Sequence, residues 1–102
     1  MVTERDAQLV NRLSRDTQDG QLKWQPTAEA EQYTVSLKGK FTVTIDYSRS
    51  TDICWLVLRD IDGRELLKLT STEYAPIAGL FEVVRRRVMK VDEAINEILG
   101  DS

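Results

Sequence analysis

Apolar and polar residues alternate strictly in two segments, YTVSL at residues 33–37 and FTVTIDY at residues 41–47. A period of two is typical of β-strands with one buried face. Between the segments lies KGK, which we interpret as a three-residue turn, because a two-residue loop would put the two apolar rows on opposite faces. The expected rungs of this hairpin are Leu37–Phe41, Val35–Val43 and Tyr33–Ile45.

A second hairpin is predicted in ICWLVLRDIDGRELLKL, residues 53–69. The Asp62-Gly63 pair indicates a type I turn with a bulge, since glycine readily takes a positive φ. Apolar residues occupy both faces of residues 53–58, so this strand is predicted to lie inside the sheet. The expected rungs are Arg59–Glu65, Leu58–Leu66, Val57–Leu67 and Trp55–Leu69.

The N-terminal segment has the pattern of a capped amphipathic helix. Thr3 and Asp6 have the spacing of a capping box, in which a threonine hydroxyl accepts from an unpaired backbone N–H. Gly20 is a natural stop signal at the other end. The pattern therefore predicts a helix over residues 4–17.

The C-terminal segment predicts one continuous amphipathic helix of about 23 residues, which would be about 34 Å long. Two start signals are present, a possible capping box formed by Thr70 and Glu73, and Pro76 at the first turn. A domain of this size is about 26 Å across, so part of the helix is expected to reach past the core. Its apolar row contains Ile77, Leu80, Phe81, Val84, Val88, Val91, Ile95 and Ile98.

These elements predict one α+β domain over residues 1–102, with an antiparallel β-sheet of about four to five strands. An N-terminal helix and the long C-terminal amphipathic helix flank the sheet. Because the C-terminal row extends past the core, we interpret the protein as a non-enzymatic interaction or regulatory module that forms a homodimer. The residues expected at the partner interface are Leu80, Val84, Val91 and Ile98.

Three consecutive arginines occupy residues 85–87 of a chain with a net charge of −3. At 100° per residue their side chains fan around the helix, and Glu82 is spaced to pair with the first two. Phosphate grooves need converging cations, so nucleic-acid binding is not expected. The alternative function is a nucleic-acid-associated regulator, and its candidate contacts to an anion or acidic partner are Arg86 and Lys90, one turn apart.

The chain has no histidine and one cysteine, Cys54. This excludes Ser-His-Asp and Cys-His pairs and most zinc sites. Cys54 lies within a predicted inner strand, where a buried, inert thiol is expected. The segment DIDGRE is similar to a calcium loop, but Leu58 and Leu69 stand where that loop needs carboxylates. We therefore predict no catalytic residues, no metal site, no cofactor and no enzymatic activity.

The expected location is the cytoplasm. A single cysteine cannot form an internal disulfide, which favours a reducing compartment. The start of the sequence, MVTERDAQLV, lacks the pattern of a signal peptide, and no apolar run approaches the ~20 residues that span a bilayer. We therefore expect neither export nor a membrane segment.

Four segments also resemble, in this order, a group of small uncharacterised bacterial α+β proteins. They are DTQDGQLKW, YTVSLKGKFTV, WLVLRDIDGREL and LFEVVRRRVMKVDEAINEIL, and together they cover most of the chain. Gln21 stands where a lysine is common in that group. The resemblance implies a bacterial origin and a fold of helix, antiparallel hairpins and long C-terminal helix. It implies no activity.

Overall fold

The computed structural model describes residues 2–100, which form three helices and one five-stranded antiparallel sheet. The strands are hydrogen-bonded in chain order, so the sheet is a simple meander. This architecture confirms the predicted α+β fold. The elements are α1 (Glu4–Gln18), β1 (Gln25–Pro26), β2 (Gln32–Leu37), β3 (Phe41–Ser48), β4 (Ile53–Arg59), β5 (Glu65–Thr70), α2 (Pro76–Val88) and α3 (Val91–Gly100).

The first hairpin, β2 with β3, has the predicted register. Leu37 is opposite Phe41, and the rungs Val35–Val43 and Tyr33–Ile45 follow. In the three-residue turn, Lys38 and Gly39 have φ values of 56° and 66°. The odd loop length keeps both apolar rows on the face that is buried.

The second hairpin, β4 with β5, departs from the prediction by one residue. Arg59 pairs with Glu65 as predicted, but a β-bulge follows and leaves Leu66 without a directly opposite residue. The predicted rungs beyond Arg59 are therefore wrong. The observed ones are Leu58–Leu67, Val57–Lys68, Leu56–Leu69 and Trp55–Thr70.

Burial explains this bulge. In the predicted register Lys68 would lie opposite Leu56, whose side chain is fully buried. The extra residue instead turns Leu69 towards the core and Lys68 to the other face of the sheet. There the Lys68 ammonium lies 4.7 Å from the centroid of the Trp55 ring, a favourable cation–π distance.

The turn from β5 into α2 uses both of the predicted start signals. The Thr70 N–H donates to Glu73 Oε1 at 3.1 Å, and the Glu73 N–H donates to Thr70 Oγ1 at 3.3 Å. This capping box closes the turn before the helix. α2 itself begins at Pro76, whose missing N–H costs nothing in the first turn.

The predicted cap of α1 is also present. The Asp6 N–H donates to Thr3 Oγ1 at 3.1 Å, and the Thr3 N–H donates to Asp6 Oδ2 at 3.0 Å. At the other end Trp24 Nε1 donates to the buried hydroxyl of Thr17 at 2.9 Å, and that hydroxyl donates to the Leu13 carbonyl at 2.6 Å. This chain of hydrogen bonds ties the segment after α1 to the core.

The core lies between one face of the sheet and the helices α1 and α2. α2 lies on β3 and β4, and α1 packs mainly against α2. The most deeply buried apolar side chains are Val10 of α1, Val43, Ile45 and Leu56 of the sheet, and Ile77, Leu80 and Val84 of α2.

The C-terminal helical segment consists of two helices, so the prediction of one continuous helix is wrong. α2 ends at Val88, and α3 begins at Val91. Lys90, between them, has a φ of 55°, the left-handed conformation typical of the residue after a helix cap. The change of direction at Lys90 separates the two halves of the apolar row.

Candidate functional site

α3 is an amphipathic helix that the core of the domain does not use. None of its 10 residues is buried, and the side chains of Ile95, Ile98 and Leu99 are 39%, 79% and 68% exposed. On a helical wheel Val91 and Ala94 join these three in an apolar arc of about 140°. We call these five residues the α3 face. A face of this width is typical of a helix that packs against a surface.

Lys90 is the joint that positions α3. Its carbonyl accepts the first hydrogen bond of α3 from the Ala94 N–H, at 3.1 Å, so Lys90 stands at the N-cap of that helix. Met89, the C-cap of α2, is largely exposed. The buried helix α2 and the exposed helix α3 are therefore separated by only two residues, Met89 and Lys90.

The predicted interface residues fall into two groups. Leu80 and Val84 are 1% and 0% exposed and belong to the domain's own core, so neither has surface to offer a partner. This part of the prediction is corrected. Val91 is half-buried and Ile98 is exposed, and both belong to the α3 face. The exposed Ile95 and Leu99, which are not among the predicted interface residues, also belong to the α3 face.

The arginine triplet is dispersed, as the helical wheel predicts. Arg85 donates to the carboxylate of Glu82, and this hydrogen bond raises the pKa of Arg85. Arg86 donates instead to the carboxylate of Asp92, across the joint between the two helices. Two of the three arginines therefore already have acidic partners in the same chain.

Arg87 lies against the backbone of Gly20, just beyond the end of α1. A Cβ at Gly20 would collide with Arg87 Nη2, and Gly20 also has a φ of 76°, which favours glycine. The guanidinium is therefore close to the C-terminal end of α1, where the carbonyls favour a cation. This structural role of Arg87 has no signal in the local sequence.

A concavity of about 690 Å³ lies beside the joint between α2 and α3. The basic residues near the joint line it together with Lys23, which follows α1. Both predicted contact residues, Arg86 and Lys90, line it. We call it the basic concavity, although two carboxylates share it. Its lining consists of Gln18, Lys23, Val83, Arg86, Arg87, Lys90, Asp92 and Glu93.

A second cleft, of about 400 Å³, lies beside α2 at the other side of the triplet, where Phe81 and Arg85 line it. Cys54 also lines this cleft and is buried, as predicted, and burial is the main cause that raises the pKa of its thiol. The Tyr47 hydroxyl donates to Asp52 Oδ1 at 2.7 Å, which raises the pKa of Tyr47. Both groups are therefore protonated at neutral pH.

Among residues 2–100, no three side chains of the metal-binding types come together in a group that could hold an ion. None of the helices in that range has the length and apolar content that a bilayer crossing needs. Comparisons with protein-family models, curated proteins and solved structures give no match. The α3 face and the basic concavity are therefore the features that point to a function.

Proposed function

We propose that the protein is a non-enzymatic interaction module that self-associates through the α3 face. The observation that carries the proposal is the complete absence of buried residues in an amphipathic helix. A helix of this length is marginal on its own in water, because most helical stability in proteins comes from packing of an apolar face. A partner that covered the α3 face would supply that packing.

A second copy of the chain fits the α3 face because four of its five apolar positions are symmetric along the helix. Leu99 is the exception, since its symmetry counterpart is Lys90. Consider a second α3 that runs antiparallel, with a two-fold axis between Ala94 and Ile95. Ala94 of each copy then lies opposite Ile95 of the other. The same axis places Val91 opposite Ile98 of the second copy. Such self-complementarity is what a two-fold interface requires. Because the face is small, the expected dimer is weak, with a micromolar dissociation constant.

Sedimentation velocity from micromolar to submillimolar concentration tests the proposal. The wild type is expected to shift from monomer to dimer, and Ile98→Asp is expected to remain monomeric, because it places a charge on the face. Ile61→Asp is the matched control, since Ile61 is 75% exposed in the β4–β5 turn, away from α3. A wild type that stays monomeric throughout this range would overturn the proposal.

The basic concavity favours a second candidate function, a nucleic-acid-associated regulator that uses Arg86 and Lys90. Four cationic side chains and two carboxylates line the concavity, so its local charge is positive in an acidic protein. This reading predicts a mobility shift of RNA or DNA at low salt that weakens in the double variant Arg86→Glu, Lys90→Glu. The absence of any shift at low salt would contradict it.

We also propose a cytoplasmic location and a bacterial origin. The buried thiol of Cys54, which has no second cysteine to pair with, supports a reducing compartment. The resemblance of four segments to small bacterial proteins supports the origin. Detection of the native protein in the cytoplasmic fraction of a bacterial host would test both.

A further inference from the structure

The charges around α3 are arranged unevenly along its axis. The helix itself contains the acids Asp92, Glu93 and Glu97 and has no basic residue. Lys90 stands directly before its first turn. Within residues 2–100, neither Lys90 nor Glu97 forms an ion pair, whereas Asp92 is already paired with Arg86. Glu93 also has no ion pair among these residues, but on the helical wheel it lies on the side of α3 away from the apolar face. Lys90 and Glu97 are therefore an unpaired cation and an unpaired carboxylate near opposite ends of a short helix.

Lys90 and Glu97 lie on the same side of the α3 face. They are seven residues apart, which is nearly two full turns and about 10 Å along the axis. On the helical wheel Glu97 borders the face beside Ala94, and the N-cap position of Lys90 falls about 20° from Glu97. The two groups therefore flank the same edge of the apolar row.

This arrangement distinguishes between the two directions in which a second α3 can pack. In a parallel two-fold pair, the edge that carries Lys90 and Glu97 lies on opposite flanks in the two copies, so Lys90 of one copy does not face Glu97 of the other. In an antiparallel pair about the axis between Ala94 and Ile95, Glu97 of the second copy comes within about 3 Å, along the axis, of the level of Lys90. Lys90 of each copy then lies on the same flank as Glu97 of the other copy, so opposite charges face each other at both ends of the helix pair.

We infer that the two α3 helices pair antiparallel, and that Lys90 of each copy forms an ion pair with Glu97 of the other. The inference rests on the proposed self-association and adds its direction and register. Exposed ion pairs contribute little to affinity, and their main effect is to favour one geometry over another. The apolar row supplies the contact, and the two reciprocal pairs select the antiparallel orientation.

A charge swap tests the inference by sedimentation velocity at low salt. Lys90→Glu alone and Glu97→Lys alone each convert both pairs into repulsions, so each is expected to weaken the dimer about tenfold. The double variant Lys90→Glu, Glu97→Lys restores opposite charges in the antiparallel pair and is expected to regain wild-type affinity. Glu29→Lys, a charge change in an exposed loop, is the control and should leave the affinity unchanged.

The possible outcomes distinguish the antiparallel ion pairing from self-association itself. If the wild type dimerises but the single variants bind as tightly as the wild type, the inference is overturned and self-association stands. Failure of the double variant to recover overturns it as well, once circular dichroism has shown that the variant is folded. A wild type that never dimerises overturns both.

Discussion

α2 and α3 come from one apolar row of the sequence and have opposite environments. α2 places Ile77, Leu80, Phe81 and Val84 in the core, whereas α3 has no buried residue. Both helices are amphipathic, and only the joint at Lys90 separates them. Periodicity therefore identifies the face of a helix that needs to be covered. It does not identify what covers that face.

Truncating an apolar side chain is expected to destabilise the protein far more in α2 than in α3. Leu80→Ala should lower the free energy of unfolding by about 3 kcal/mol, because it leaves a cavity in a packed core. Ile98→Ala should change it by less than about 0.5 kcal/mol at concentrations where the chain is monomeric. Urea denaturation of both variants measures the difference. Equal losses would mean that α3 belongs to the core after all.

A glycine at the joint tests the break between the helices. Lys90→Gly should raise the free energy of unfolding by about 1 kcal/mol, because glycine takes the left-handed conformation without the strain of a side chain. In a continuous helix the same change would lower it by about 1 kcal/mol. The sign of the change in urea denaturation therefore decides between the two.

Met89→Gly is the matched control for this measurement. Met89 has an ordinary helical φ of −83°, so glycine gains nothing there. A loss of stability at residue 89 combined with a gain at residue 90 locates the joint at Lys90. Losses at both positions would contradict it.

The smallest expected effect on stability comes from removing α3 altogether. A chain that ends at Lys90 should keep its free energy of unfolding within about 0.5 kcal/mol of the monomeric wild type, because α3 buries no side chain in the core. The same chain should not self-associate. Thermal unfolding followed by circular dichroism, together with sedimentation, checks both expectations. A large loss of stability would show that α3 supports the domain directly.

The two hairpins of the sheet differ in how well the local sequence predicts their strand register. The first hairpin is predicted completely, because turn length and alternation lie within fifteen consecutive residues. The bulge near Leu66 does not follow from the local pattern, because it depends on which face of β4 is covered by helices far away in the chain. Lys68, between two leucines, carries the one local signal, since a lysine in that position belongs on the open face.

The sequence predicts only part of the candidate site, because it does not reveal where the C-terminal helical segment breaks. The apolar spacing continues across Lys90, with no glycine or proline to mark an end, so the sequence gives no sign of the break. A left-handed residue other than glycine costs only about 1 kcal/mol, which packing elsewhere can offset. The periodicity therefore predicts Leu80 and Val84 on the same surface as Val91 and Ile98, although the joint separates them.

The ends of the sheet also affect which partners the protein can accept. On the outer edge of β5, the Thr70 N–H is already bonded to Glu73, and the bulge at Leu66 interrupts the regular spacing of the remaining donors. The opposite edge, β1, is two residues long and contains Pro26. Neither edge is a good template for another strand, so the sheet resists growth into fibrils. If copies of the chain associate through the α3 face as proposed, their sheets are not expected to join.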